Sequence, residues 1–139
     1  MISYRVHSPT DTHNLDQIIE LYEASTLGAR RPIQDRERMG TMIANANLIV
    51  TAWDGDLLVG ISRSLTDFSF ATYLSDLAVR ESYQRRGIGK ELIVQTQIAG
   101  GAAKIILLSA PAAVDYYPRI GMTQHQSCWT LDPGQALTE

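Results

Sequence analysis

Apolar and polar residues alternate from Ile2 to His7 and the alternation stops at Ser8-Pro9, which predicts a short strand closed by a turn. From Leu15 the period lengthens. Leu15, Ile18, Ile19 and Tyr22 fall on one face of an amphipathic helix that begins near Asp11 or Asn14, both residue types that cap helices. Gly28 to Pro32 breaks the spacing, and a weaker helical pattern from Gln34 to Asn45 turns Met39, Met42 and Ile43 to one side.

At Leu48 the texture becomes that of a sheet. Leu48 to Trp53 and Leu57 to Ser62 flank Asp54-Gly55-Asp56, a hairpin signal because glycine accepts the positive φ that a primed turn requires. Phe70 to Val79 reads as a third antiparallel strand, reached through Asp67-Phe68-Ser69. A polar turn from Arg80 to Arg86 then feeds a helix from Gly87 to about Ala99, with Ile88, Leu92, Thr96 and Ala99 on one face and Gly100-Gly101 as its stop. Lys104 to Leu108 is a short apolar run, the pattern of a strand covered on both faces, so strand, helix and strand form a βαβ crossover. A short helix from about Ala112 to Tyr117 and a strand from Thr123 to Leu131 complete the expected elements, before Asp132-Pro133-Gly134 leads into a polar tail. The resulting class is α/β (α+β), a mixed and mostly antiparallel sheet flanked by helices.

Composition narrows the function without choosing it. A chain of 139 residues, 45% hydrophobic and 19% charged, is expected to form a single domain around one core. A net charge of −3 gives no general attraction to nucleic acid or anionic membrane, so an anion site has to be built locally. Cys128 stands alone, and no Cys/His cluster has metal-ligand spacing, so no metal is expected. No basic segment feeds an apolar run near Met1 and no stretch approaches the roughly 20 apolar residues of a membrane span, so a cytoplasmic protein is expected.

One local element stands out. Gln84-Arg85-Arg86-Gly87-Ile88-Gly89-Lys90 lies between a strand and a helix, where unpaired N–H groups and the positive end of the helix dipole converge. Gly87 and Gly89 lack a Cβ that would hold the backbone away from phosphate oxygens, and Arg85, Arg86 and Lys90 add positive charge. Taken alone, the spacing equally describes a glycine-bearing turn with solvated arginines. A Walker loop would need Ser or Thr after the lysine, where Glu91 stands. A dinucleotide fold would place the turn after the first strand of a parallel sheet, and here it follows an antiparallel meander.

Leu77-Ala78-Val79, then Gln84 to Lys90, then Tyr116-Tyr117-Pro118-Arg119-Ile120-Gly121-Met122 is similar in order and spacing to the GNAT N-acetyltransferase superfamily. The resemblance covers roughly Leu48 to Leu131. It implies an enzyme that moves an acetyl group from acetyl-CoA directly to a primary amine of a small molecule or peptide. It further implies a bulged strand that splays from its neighbour, with Leu77, Ala78 and Val79 offering backbone groups to pantetheine and Gln84, Arg85, Arg86, Gly87, Ile88, Gly89 and Lys90 holding the pyrophosphate. Tyr117 takes the family's general-acid place near the coenzyme sulfur. Asp76, on the strand beside the slot, is the candidate base or else a structural pairing residue.

The chain departs from the family pattern at three places. Ala110 stands where an asparagine often contacts the coenzyme, Pro118 is expected to end or kink the helix at Tyr117, and Met122 replaces a phenylalanine. The chain after Leu131 is short for the family's closing hairpin, which a partner subunit in a homodimer could complete. His7, His13 and His125 are isolated in sequence and read as surface or strand residues. Two rival readings remain: an acetyl-CoA-binding sensor or assembly subunit without catalysis, and a nucleic-acid-binding domain using Arg85 and Arg86, which the charge balance disfavours.

Overall fold

The computed structural model describes residues 1–138 and comprises two compact units, Met1–Leu108 and the segment from Ser109 onward. The first unit is built on one sheet of five strands: β1 (Ile2–His7), β2 (Leu48–Asp54), β3 (Leu57–Thr66), β4 (Ala71–Val79) and β5 (Lys104–Ile106), in that spatial order. β1 to β4 run antiparallel in sequence, and β4 pairs with β5 in parallel. Helices α1 (Leu15–Glu23), α2 (Arg36–Asn45) and α3 (Ile88–Ala99) flank the sheet.

The expected helix starts are capped as their sequences require. Asn14 accepts the Gln17 amide at 3.1 Å, and Asp35 accepts the Arg38 amide at 3.1 Å, each satisfying a donor that the first helical turn leaves free. Gly55 has φ +59°, so the two-residue turn between β2 and β3 is the one that the Asp-Gly signal called for. A 3-10 turn over Thr26–Arg30 occupies the stretch expected only as a break, with Ser25 accepting the Leu27 amide and donating to the Tyr22 carbonyl.

Two apolar layers sandwich the sheet. Ile18, Leu21 and Tyr22 of α1 and Met39 and Ile43 of α2 pack on Ile49, Leu58, Ile61 and Ala78. On the other face, Ile88 and Leu92 of α3 pack on Val50, Ala52 and Val59, with Leu77, Val79 and Tyr83 at the margin. Strand alternation thus divides β4: Ala78 faces α1 and α2, while Leu77 and Val79 face α3.

Three expectations are corrected. β5 ends at Ile106 instead of Leu108 and lies at the sheet's edge, with Ile106 about half exposed; a strand paired on one side only does not need the continuous apolar cover expected of it. Thr123 to Leu131 contains no strand. A turn at Gln126-Ser127, where the Ser127 amide donates to His125 Nδ1 at 3.1 Å, interrupts the extended run, and Trp129 and Leu131 remain exposed. The helix expected from Ala112 to Tyr117 is instead a 3-10 turn over Pro111–Ala113 followed by α4 (Tyr116–Arg119).

Candidate active site

The turn between β4 and α3 is open at the place where an anion would sit. Gly87 caps α3 with φ +80°, in the left-handed region where a Cβ is strained, and no side chain bonds the free amides of the first turn. The first intrahelical bond runs from the Glu91 amide to the Gly87 carbonyl at 3.1 Å, leaving Ile88, Gly89 and Lys90 as the leading N–H groups. A Cβ built on Gly87 would meet no other part of the protein within 4 Å, so the side-chain side of the capping residue is open. Arg85, Arg86 and Lys90 are exposed around it, and Arg85 itself adopts φ +62°. These features fit a diphosphate: unpaired donors, a helix N-terminus and three exposed cations.

Several bonds fix the turn to the rest of the first unit. Gln84 Nε2 donates to the Val79 carbonyl at 3.1 Å, bridging the turn's start to the end of β4. Arg80 donates to both Glu20 carboxylate oxygens, at 2.8 and 2.7 Å, and to the Leu58 carbonyl at 2.8 Å. The Glu81 amide reaches the Ala24 carbonyl at 2.9 Å. Tyr83 donates to Asp54 while the Arg86 guanidinium lies 4.8 Å from the centre of its ring. The Arg80 pair raises the arginine's affinity for its proton and holds the Glu20 carboxyl below its usual range. Arg80 and Glu20 are 60 residues apart, and only their opposite charges were visible in sequence.

Beside the turn, β4 parts from β5. The parallel pairing holds over only three positions, Ala71 to Tyr73 against Lys104 to Ile106, after which β4 continues to Val79 without a strand on that side. Its opposite edge stays paired, Leu77 with Ser62, Ala78 with Ile61 and Val79 with Gly60. A register shift at Arg63/Ser64 leaves Ser75 as the extra residue of β4, a bulge next to Asp76. The structure therefore brings Leu77, Ala78, Val79 and Gln84 to Lys90 together along one splayed strand and the turn that follows it.

Asp76 is fully buried on the α1 and α2 side of β4. Its Oδ1 accepts Arg31 Nε at 2.6 Å, and its Oδ2 accepts Arg63 Nε at 2.6 Å and the Tyr22 hydroxyl at 2.7 Å. Burial by itself would raise this carboxyl, but Arg63, Tyr22 and Arg31 outweigh it and hold the group below the ordinary carboxylate range. Burial, with the Asp76 charge behind it, pushes the Tyr22 phenol well up. Both carboxylate oxygens are thus engaged, the arrangement of the pairing role that the strand position left open.

A groove of about 860 Å³ opens between the α1–α2 connection and the residue that follows Arg80, lined by Glu23, Ser25, Arg31, Pro32, Asp35 and Glu81 among others. Three of these are carboxylates. Of the histidines in the first unit, His7 on β1 bonds Thr51 at 2.7 Å, and its ring stands 4.8 Å from that of His13. Among the described residues no group of three His, Cys, Asp or Glu side chains is placed to hold a metal ion, and no helix is long and apolar enough to cross a membrane.

The family model of the acetyltransferase (GNAT) domain matches residues 21–129. The chain belongs to the GNAT acetyltransferase family. It is accordingly an enzyme, and N-acetylation with acetyl-CoA is the activity that this membership supports. An uncharacterised N-acetyltransferase of Prochlorococcus marinus is 28% identical over 135 residues, covering 92% of this chain and 69% of the relative. An acetyltransferase of the GNAT family from Streptococcus pneumoniae TIGR4 superposes with a TM-score of 0.74 at 25% identity, covering 95% of this chain and 96% of that one. An aminoglycoside acetyltransferase from an uncultured soil metagenomic sample, in complex with sisomicin, shares the fold with a TM-score of 0.70 at 22% identity, over 94% of each chain.

In this GNAT chain Tyr117 lies in the second unit, as the second residue of α4. Its carbonyl accepts the Ile120 and Met122 amides at 3.2 and 3.0 Å, and its ring stands edge-on to that of Tyr116 with centres 5.2 Å apart. Pro118 does not end the helix at Tyr117, which corrects the expectation. As the third residue of α4 it sits in the first turn, where its missing N–H removes no intrahelical bond. Ala110 precedes the 3-10 turn at Pro111–Ala113 and offers no side-chain donor.

Proposed function

We propose that this GNAT enzyme binds acetyl-CoA along the splayed edge of β4, with the pyrophosphate on the amides of Ile88, Gly89 and Lys90, and acetylates a cationic primary amine admitted through the acidic groove. The observation that carries the reading is the N-terminus of α3, without a side-chain cap and with the open side of Gly87 beside it, at the end of a strand whose pairing with β5 stops at Tyr73. Leu77, Ala78 and Val79 offer pantetheine the backbone groups of that free edge. Arg85, Arg86 and Lys90 supply counter-charge, and Gln84 fixes the turn's entry.

Direct transfer sets the remaining needs. The ammonium first gives a proton to solvent, and the neutral nitrogen attacks the thioester carbonyl. The C–N bond forms as the C–S bond breaks, the nitrogen gives its second proton to solvent and the thiolate gains one. Tyr117 is proposed as the donor of that last proton, on the family resemblance of its position. The acceptor class follows from Glu23, Asp35 and Glu81 around the groove, three negative charges that exceed the single net positive charge of Arg31 and Arg63 sharing Asp76. The aminoglycoside acetyltransferase likeness supports the fold alone, so the acceptor is read from the groove. A cytoplasmic setting fits a lone free cysteine, and a homodimer would pair along the outer edge of β5.

The test is thiol release from acetyl-CoA across a panel of mono-, di- and polyamines. Release that favours polycationic acceptors is expected, with Tyr117→Phe losing turnover while acetyl-CoA binding is kept. Unchanged turnover in Tyr117→Phe removes the assigned acid. Coenzyme binding with no release on any amine overturns the acceptor reading in favour of a sensor.

A further inference from the structure

The bulge in β4 is tied to the acceptor side of the first unit through a single carboxylate. Asp76 receives Tyr22 from α1, Arg63 from β3 and Arg31 from the segment after the 3-10 turn. The two arginines continue outward from it. Arg31 Nη2 donates to the Ser75 carbonyl at 2.8 Å, Arg63 Nη2 to the Ser75 hydroxyl at 2.9 Å and Arg63 Nη1 to the Met42 carbonyl of α2 at 3.3 Å. The bulge residue and its neighbour are thus held by α1, α2, β3 and the connecting segment together.

The segment Arg31–Asp35 forms one wall of the groove. Its own backbone bonds are local, from the Ile33 amide to the Arg31 carbonyl at 2.9 Å and from the Asp35 amide to the Pro32 carbonyl at 3.0 Å. The Arg31 side chain makes its polar contact with the sheet, and Ile33 packs against the apolar core on that face. A short, irregular segment held by one polar anchor and one partly buried apolar side chain opens more often when the polar anchor is removed.

We infer that Asp76 is a positioning residue, acting through Arg31 to hold the acceptor wall Arg31–Asp35 against the bulge of β4, and that it does not exchange protons with the substrate. The inference rests on the groove being the acceptor site. Both carboxylate oxygens are already filled by donors, and the carboxylate has no exposed surface. An amine would have to displace a guanidinium to reach it. Arg31, one-fifth exposed, is the member of the group that meets the groove.

Arg31→Ala, Arg31→Lys and Asp76→Asn are compared with the wild type, using acetyl-CoA and 1,4-diaminobutane for kinetics and hydrogen exchange for the segment. Arg31→Ala is expected to raise the amine KM about tenfold, with kcat and the acetyl-CoA KM within about threefold, because it removes binding and not chemistry. Exchange at the Ile33 and Asp35 amides should quicken by about tenfold while that at Ile88 to Lys90 is unchanged. Arg31→Lys should recover part of both effects. Loss of kcat in Asp76→Asn, with disappearance of the acidic limb of the pH profile, would show a base and overturn the inference. Unchanged exchange and unchanged amine KM in Arg31→Ala would overturn it as well. Should Asp76→Asn fail to fold, Arg31→Ala still decides, since Arg63 and Tyr22 continue to hold the carboxylate. Should the wild type release no thiol with any amine, the acceptor reading falls while the exchange comparison still judges the anchor.

Discussion

Replacing Asp76 by Asn tests how much the first unit depends on its buried charge. The amide keeps one acceptor oxygen but turns an NH2 group toward either Arg31 Nε or Arg63 Nε, donor against donor, at sites now 2.6 Å apart. Arg63, with 8% of its side chain exposed, cannot recover the loss from water, whereas Arg31 at 21% recovers part of it. Breaking one side of a buried ion pair costs about 3–5 kcal/mol, a large share of the roughly 5–15 kcal/mol that keeps a domain folded. In urea, where stability falls by about 1–3 kcal/mol per molar, the midpoint should drop by roughly 2 M. The gap should also depend on acid in one direction. The folded carboxyl lies below its unfolded value near 3.9, so its stabilisation is fully present above that pH and is lost as pH falls through the lower folded value. Urea unfolding at pH 7 and again near pH 3 should therefore show a wide gap between wild type and variant that narrows in acid. A gap under about 1 kcal/mol at pH 7, or one that does not narrow, would refute the reasoning.

Two further predictions concern the phosphate turn. Gly87→Ala places a Cβ at φ +80° with no protein atom near it, so backbone strain alone should cost about 1–2 kcal/mol in urea unfolding, together with weaker acetyl-CoA binding. An unchanged midpoint would show that the turn relaxes. For the Arg80–Glu20 pair, a double-mutant cycle with Arg80→Gln and Glu20→Gln should give a coupling of about 0.5–1 kcal/mol, because Glu20 is half exposed and solvent screens it. That coupling should shrink in added salt, and one insensitive to salt would contradict a screened ion pair.

The β2–β3 hairpin, the βαβ crossover and the turn inside it were legible because their signals are local: a hairpin glycine at Gly55, a capping glycine at Gly87 and helical spacing from Ile88 to Ala99 each act within a few residues. The Asp76 group was not, because Tyr22, Arg31 and Arg63 lie 54, 45 and 13 residues from it and converge only when the sheet forms. Strand alternation could place Asp76 on a face but not say what covered that face. Thr123 to Leu131 shows the opposite error. β-branched and aromatic residues raise strand propensity, yet a strand exists only as part of a ladder, and a turn at Gln126-Ser127 breaks the run before one forms. Pro118 misled for a positional reason: proline stops a helix from the interior and is accommodated in its first turn.

The central claim is that the turn from Gln84 to Lys90, read with the splayed edge of β4, holds the pyrophosphate of acetyl-CoA. Amide chemical shifts followed by NMR during titration with acetyl-CoA test it residue by residue. The largest changes are expected at Gly87, Ile88, Gly89 and Lys90, with a second set at Leu77 to Val79. S-acetylpantetheine, which lacks the pyrophosphate, should move only the second set. Saturable binding of acetyl-CoA that leaves Gly87 to Lys90 unmoved would contradict the account.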